Sequence, residues 1–322
     1  MSEFTLNNNN NDNTIQSFVL PLNNDEDFVS SFVSENCKAY AVFDGHGGKH
    51  ISRDLANGRG AFPPLCKLIC LNIEKNMEND NSIEDIIKES FLEMDINMKN
   101  HNIGLGGSTA TVSIIFQNRL YLAYVGDSSA MIFKNENCVY QTDNHNYTNL
   151  IEKNRLDEKK VEIKNVTTLL TDSKDRLTIS PAHYHLFKHF YLQDELAMSR
   201  SFGHYGVKAY KNIDGNFVSD SALIVEPTIF STELVPNMQV IMASDGLWDI
   251  LENDLSVFRI YKIITDAKKN NLDVSEQICK YAEARWKQEW TVINHPKRPE
   301  PFKHTMSNSC EWDDVSCFFL EF

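Results

Sequence analysis

No stretch of this sequence approaches the roughly 18 uninterrupted apolar residues of a membrane-spanning helix, so no membrane span is expected. Basic residues are in short supply: acidic side chains outnumber them 45 to 31, for a formal charge of -14. A field of that sign repels nucleic acid and anionic lipid, and no local basic patch interrupts it. Nucleic acid is therefore not expected as a partner. The seven cysteines (Cys37, Cys66, Cys70, Cys138, Cys279, Cys310 and Cys317) are an odd set without a CxxC pair. They imply neither a zinc cage nor a secreted disulfide framework. The start, MSEFTLNNNNNDN, lacks a basic region followed by an apolar run, so no signal peptide is expected. These absences together predict a soluble intracellular protein, cytoplasmic or nuclear.

What is present is ordinary globular material. A content of 42% hydrophobic and 24% charged residues rules out wholesale disorder. The Asn-rich stretch from Met1 to Thr14 reads as a flexible tail, because it holds too little apolar surface to offset its ordering entropy. The remainder, 15–322, reads as a single domain with extended inserts near 150–191 and 292–312.

Two short apolar runs between Ile15 and Phe32 flank the cluster Asn23-Asn24-Asp25-Glu26-Asp27, the grammar of strand, turn, strand. Further strands are expected at Ala39–Phe43, Thr109–Phe116, Leu120–Val125, Ala130–Phe133, Met238–Ala243 and Val315–Leu320. After an N-cap at Ser82, Ile83, Ile86, Ile87, Phe91, Met94 and Met98 recur at helical spacing and predict one buried face. Two later helices are expected over roughly Leu255–Asn270 and Val274–Trp290, and the prolines Pro296, Pro299 and Pro301 predict irregular chain beyond them. Runs of strands with interspersed helix pairs argue for an α+β fold in which antiparallel sheets stack face to face with helices outside.

Three acidic sites share one pattern. Apolar strands run into Asp44-Gly45 and into Ser244-Asp245-Gly246, and Asp313-Asp314 directly precedes the last strand. Any one Asp-Gly pair after a strand is most simply a turn. Carboxylates at neighbouring strand ends, however, offer the hard oxygen ligands that suit Mg²⁺ or Mn²⁺. His46, followed by Gly47-Gly48, adds a titratable group suited to proton transfer near neutral pH. A metal-activated nucleophile beside an acid is hydrolytic chemistry.

These residues also carry a family resemblance. The run Ala41-Val42-Phe43-Asp44-Gly45-His46-Gly47-Gly48 resembles the signature of the metal-dependent, type-2C serine/threonine protein phosphatases. Further motifs follow in family order: Gly107–Ala110, Ala123–Ala130, Leu196–Gly203, Ala243–Asp249 and Asp313-Asp314-Val315-Ser316. The resemblance implies a central antiparallel β-sandwich flanked by helices on both sides, acting as a monomer on phosphorylated protein substrates. It also implies two Mn²⁺ or Mg²⁺ ions, bridged by Asp44. Gly45 would offer its carbonyl, Asp245 and Asp313 would hold one ion, and Glu26 or Asp27 would help hold the other. His46 would protonate the leaving seryl or threonyl oxygen, and no phosphoenzyme is required.

The sequence departs from the family pattern at four places. Leu22 stands where an arginine usually grips the substrate phosphate, with Lys49, Arg53 or Arg59 as substitutes. Asn144 stands where an aspartate helps hold a third ion, His204 replaces another aspartate, and Asp314 replaces an asparagine. Two readings follow: an active phosphatase, and a pseudophosphatase that binds partners without turnover. Outside the motifs, His183, His185 and His189 match no closed ligand set. Cys66 and Cys70 read as small buried hydrophobes, and Trp248, Trp286 and Trp290 as core. Asp127 reads as part of a structural turn rather than as a ligand.

Overall fold

The computed structural model describes residues 14–322 apart from 77–81, 102–105, 147, 160–161, 166–168, 172–176, 180–184, 189–194, 209–221, 252–255, 294–297 and 307–311. Ten strands form the centre. They are β1 (Thr14–Leu20), β2 (Phe28–Val33), β3 (Cys37–Phe43), β4 (Ala110–Phe116), β5 (Arg119–Val125), β6 (Ser129–Lys134), β7 (Asn137–Gln141), β8 (Thr228–Glu233), β9 (Gln239–Ala243) and β10 (Val315–Glu321). One sheet has the order β8-β5-β4-β3-β2 and the other β1-β10-β9-β6-β7, and every pairing is antiparallel.

Side-chain alternation builds the layers. Successive residues of a strand point to opposite faces, so Tyr40 and Val42 of β3 enter the space between the sheets, where they join Leu122, Ile132, Met242, Phe318 and Leu320. The intervening Ala39, Ala41 and Phe43 pack outward with Ile51, Leu55, Ile69, Ile87 and Phe91 from three helices. These are α1 (His50–Asn57), α2 (Leu65–Lys75) and α3 (Ile83–Asn100). On the opposite side, Cys317 and Phe319 of β10 pack against Ile260, Ile264, Ile278 and Trp286, which belong to α5 (Ser256–Lys269) and α6 (Val274–Trp286). The result is a helix–sheet–sheet–helix sandwich, the α+β architecture expected from the sequence.

The Ser82 hydroxyl caps α3 by accepting the Asp85 amide at 3.1 Å, and Ile86, Ile87, Phe91, Met94 and Met98 are buried. The last helix ends four residues earlier than expected. Trp290 lies in a strand, Glu289–Ile293, yet is fully buried, so its core reading stands while its helical one does not. That strand pairs with Phe302–Thr305 and with Leu169–Thr171, which in turn pairs with Leu177–Ile179. The proline-rich stretch is therefore not wholly irregular, because its prolines all precede the pairing segment at 302–305. Thr14, assigned to the tail, opens β1 opposite Glu321; the rest of that tail lies outside the described residues, as do His183 and His189.

The start of the segment after β7 is anchored. It opens with α4 (Leu150–Glu158), whose buried Glu152 accepts from Arg200 Nε at 3.0 Å, Arg155 Nη2 at 2.7 Å and the Ser199 hydroxyl. Four charge-assisted bonds to one buried carboxylate tie α4 to the Ser199-Arg200 stretch.

Candidate metal centre

Antiparallel pairing places the acidic motifs at one end of the sandwich. β3 ends at Phe43, opposite the first residue of β2; β9 ends at Ala243, opposite the first residue of β6; β10 begins at Val315, opposite the last residue of β1. Asp44, Asp27, Asp245 and Asp313 each lie within two residues of such an end, as does Asp127 in the turn from β5 to β6. Gly45 allows a close approach in this region. Its amide donates to the Glu26 carbonyl at 3.2 Å, and a Cβ there would lie 2.8 Å from that oxygen and 2.5 Å from the Ser52 hydroxyl.

The carboxylates repel one another. Burial, then Asp245, Asp27 and Asp313, hold the Asp44 carboxyl well above the usual range, and its side chain is in hydrogen-bond contact with Asp245. Burial likewise raises Asp245 itself. Asp27 is pushed up to about 8 by burial and by Asp314 and Asp245, which the nearby Ser244 and Ser316 hydroxyls only partly offset. Burial and Asp245 lift Asp313 well above the ordinary value, with further contributions from Asp27, Asp249 and Asp314. Glu26 is raised mainly by burial, and its Oε1 accepts the Gly48 amide at 2.7 Å.

Two members of the cluster were not expected. Burial and Asp245 push Asp127 up to about 7, and burial, Asp245 and Asp127 raise Asp249 strongly. The signal for Asp249 was its place four residues after Asp245, where a helical turn returns it to the same face. The turn bearing Asp127 is held by His145, whose Nδ1 accepts the Gly126 amide at 3.2 Å and whose Nε2 then donates to Thr228 Oγ1 at 2.8 Å. Asn144 is committed elsewhere, accepting from Ser129 Oγ at 2.6 Å, and Asp143 is exposed.

Asp314 is buried rather than solvated. It is 3% exposed; its Oδ1 accepts the amides of Leu22 and Asn23 at 2.7 and 2.8 Å, and its Oδ2 accepts that of Glu26 at 2.8 Å. Two acceptor oxygens meet three donors, which an asparagine could satisfy on one side only. Asp314→Asn is thus expected to speed hydrogen exchange at the Glu26 amide by tenfold or more, on the order of the ~1.4 kcal/mol that one such bond contributes. Unchanged exchange at Leu22, Asn23 and Glu26 would contradict this clamp.

Of the three basic candidates for gripping a phosphate, Arg53 and Arg59 are turned to the buried Asp54. Lys49 pairs with the exposed Asp25 at 2.8 Å and also bears on Glu26. His46 is half-buried and stacks on His204, with centroids 4.7 Å apart. Neither His46 ring nitrogen makes a hydrogen bond of good geometry. Burial and His204 hold its pKa down to about 3, which the nearby Asp44 carbonyl offsets only in part. His46 is therefore neutral at pH 7 in this state.

Among the described residues, no three His, Cys, Asp or Glu side chains are arranged as they stand to hold a metal ion between them. The donor set nonetheless fits hydrated Mg²⁺ or Mn²⁺. Such ions keep several waters and take one or two carboxylates each rather than a closed protein cage. Asp27 Oδ2 and Asp127 Oδ1 are buried without hydrogen-bond partners, a cost that a cation would remove.

A family model described as Protein phosphatase 2C matches residues 7–289. The chain belongs to the protein phosphatase 2C family. Its relatives include "Probable protein phosphatase 2C 7" of rice (Oryza sativa subsp. japonica), 27% identical over 236 residues, 72% of this chain and 51% of that protein. The chain thus spans about half the length of that relative. "Protein phosphatase 2C homolog 1" of Saccharomyces cerevisiae is 26% identical over 260 residues, 74% of this chain and 76% of that protein. Among solved structures, a serine-threonine phosphatase 2C from Toxoplasma gondii superposes with a TM-score of 0.66 at 15% identity, covering 100% of this chain and 98% of that one. At that identity the likeness is one of fold, and the type-2C sandwich expected from the motifs is the fold observed. No helix among the described residues is long and apolar enough to cross a membrane.

Proposed function

We propose that this protein hydrolyses phosphoserine and phosphothreonine in protein substrates, in a reaction that depends on Mg²⁺ or Mn²⁺. The observation that carries the reading is the convergence of Asp27, Asp44, Asp245 and Asp313, all raised above the ordinary carboxylate value by burial and, except for Asp245, also by neighbouring carboxylates, beside a histidine whose ring nitrogens lack partners. Asp44, the Gly45 carbonyl, Asp245 and Asp313 would hold the ions, with Glu26 and Asp27 completing the set. Bound there, the ions supply Lewis acidity and an activated water.

The chain's own residues do the rest. The Asp314 clamp fixes the loop that carries Glu26 and Asp27 against the strand that follows Asp313. Lys49, at the mouth of the site, is the cation placed to attract the phosphate in place of the arginine replaced by Leu22, whose side chain packs against the outer core. His46 lies next to Gly45 and donates a proton to the departing seryl or threonyl oxygen. A phosphate dianion beside its ring favours the imidazolium and raises its pKa from the low value of the free site.

The test is dephosphorylation of a phosphothreonine peptide by the purified protein with EDTA, Mg²⁺ or Mn²⁺. Turnover that needs the metal is expected. A well-folded protein without turnover under any metal would overturn the reading in favour of a pseudophosphatase, the alternative that Leu22 favours.

A further inference from the structure

General acids work when a third group fixes their orientation, commonly through a hydrogen bond. His46 has none of good geometry. What bears on its ring is the face of His204, inclined by 23°. The backbone around the pair is built for this contact. A small antiparallel sheet sets Gly107 between His46 on one side and Gly203 on the other, and the His204 amide donates to the Gly106 carbonyl at 2.8 Å. A Cβ on Gly107 would stand 2.4 Å from His204 Cδ2 and 2.7 Å from the Nε2 atoms of both histidines. Position 107 must therefore lack a side chain for the two rings to converge there.

His204 is itself held from below. It takes a positive φ of 49° after Gly203, a conformation uncommon outside glycine. The turn is fastened by Asp95 of α3, whose Oδ1 accepts the Gly203 amide at 3.0 Å and whose Oδ2 accepts Lys208 Nζ at 2.8 Å. Lys208 Nζ also donates to the Ser201 carbonyl at 2.7 Å. Asp95 and Lys208 are nearly buried, so the clamp is shielded from solvent. Packing between α3 and the 201–208 segment thus reaches His46 through one aromatic contact.

We propose that His204 is a positioning residue for His46, fixing the plane of the imidazole by stacking so that its N–H faces the departing oxygen of the substrate. The inference rests on the phosphatase reading above. In the step concerned, water oxygen bonds to phosphorus and the phosphorus–oxygen bond to the seryl or threonyl side chain breaks. The electron pair stays on that side-chain oxygen, and the His46 proton neutralises it. His46 then regains a proton from the water that was consumed, so the balance closes on alcohol and inorganic phosphate.

A substrate whose leaving group is already acidic has little need of that proton, which gives the test. In the presence of Mn²⁺, His204→Ala is expected to lower kcat on a phosphothreonine peptide at least about tenfold more than on p-nitrophenyl phosphate, since misplacing a catalytic group costs factors of 10 to 100. His204→Phe, which keeps a flat ring without a nitrogen, should restore most of the loss. By NMR, the His46 Hε1 resonance, shifted upfield by the facing ring, should move back in His204→Ala and stay in His204→Phe. Equal losses on both substrates, or failure of phenylalanine to rescue, would overturn the positioning role while leaving the phosphatase reading intact. An unmoved His46 resonance would overturn the stack whether or not the protein turns over. No turnover by the unaltered protein with any metal would remove both proposals together.

Discussion

Asp245→Asn is expected to leave the protein folded while lowering Mn²⁺-dependent hydrolysis of a phosphothreonine peptide by at least about 1,000-fold, or roughly 4 kcal/mol in the barrier. Asp245 is the hub of the acidic cluster. Its charge raises the carboxyls of Asp27, Asp44, Asp127, Asp249 and Asp313 alike. Asparagine keeps its shape and removes the charge, so the repulsion in the metal-free fold falls while the attraction for a cation is lost. Circular dichroism and a melting curve separate the two effects: an unchanged or higher melting temperature in EDTA, with turnover gone. Metal-dependent turnover at the ordinary rate in this variant would sink the assignment of the centre.

In EDTA the protein should become more stable as the pH is lowered from 8 to about 6.5, the reverse of ordinary acid denaturation. The sign follows from proton linkage. Asp27 and Asp127 have folded pKa values of about 8 and about 7 against an ordinary 3.8. Asp44 and Asp313 are also raised well above it. A raised carboxyl contributes stability that is complete below its unfolded pKa and is lost as the pH climbs through the folded one. Each pH unit in that window is worth up to about 1.4 kcal/mol per group.

Below 6.5 two imidazoles, the half-buried His46 and the buried His145, both held down to about 3, begin to oppose the trend. Further down, Glu152 joins them. Burial pushes its carboxyl up, but the bonds from Arg200, Ser199 and Arg155 outweigh this and hold it at about 2, so its contribution is lost as the pH falls from 4.5 toward that value. Saturating Mn²⁺ should flatten the rise between pH 8 and 6.5, because a ligand of the native state stabilises by mass action. Thermal melts across pH, with and without metal, read this directly. Stability in EDTA that increases from pH 6.5 to 8 would mean that the carboxylates do not form one cluster.

Local signals in the sequence carried most of the sandwich. Val42, Val112 and Leu122 lie on strands that are buried on both faces, because each sheet is covered by helices on one face and by the other sheet on the second. The usual alternation of half-exposed antiparallel strands is therefore missing, and the strands were found from β-branched content and turn residues instead. The acidic motifs were legible because each stands at a strand end. Asp127 stands in the turn it was read into, but its nearness to Asp245 was not legible, since only the tertiary pairing of β6 with β9 sets the two together. Asp314 was likewise unreadable. Its partners, Leu22, Asn23 and Glu26, lie 292, 291 and 288 positions away, and no local pattern announces such a contact. Trp290 was assigned to a helix because its spacing from Trp286 fits one, whereas its strand is fixed by partners at 171 and 305 that the intervening sequence hides.

The place of β10 in its sheet has a bearing on how the molecule comes into being. The strand lies between β1 and β9, bonded to both, so this sheet cannot be finished at one edge until residues 315–321 have been made. β1 is made well before that and must wait, unpaired, for a partner some 300 residues behind it. Pairings of such long range close slowly. Asp313 and Asp314 arrive with that same partner. The acidic cluster and the sheet that supports it are therefore completed in a single event, and a chain that stops short of Val315 holds Asp44 and Asp245 without the strand that brings Asp313 to them.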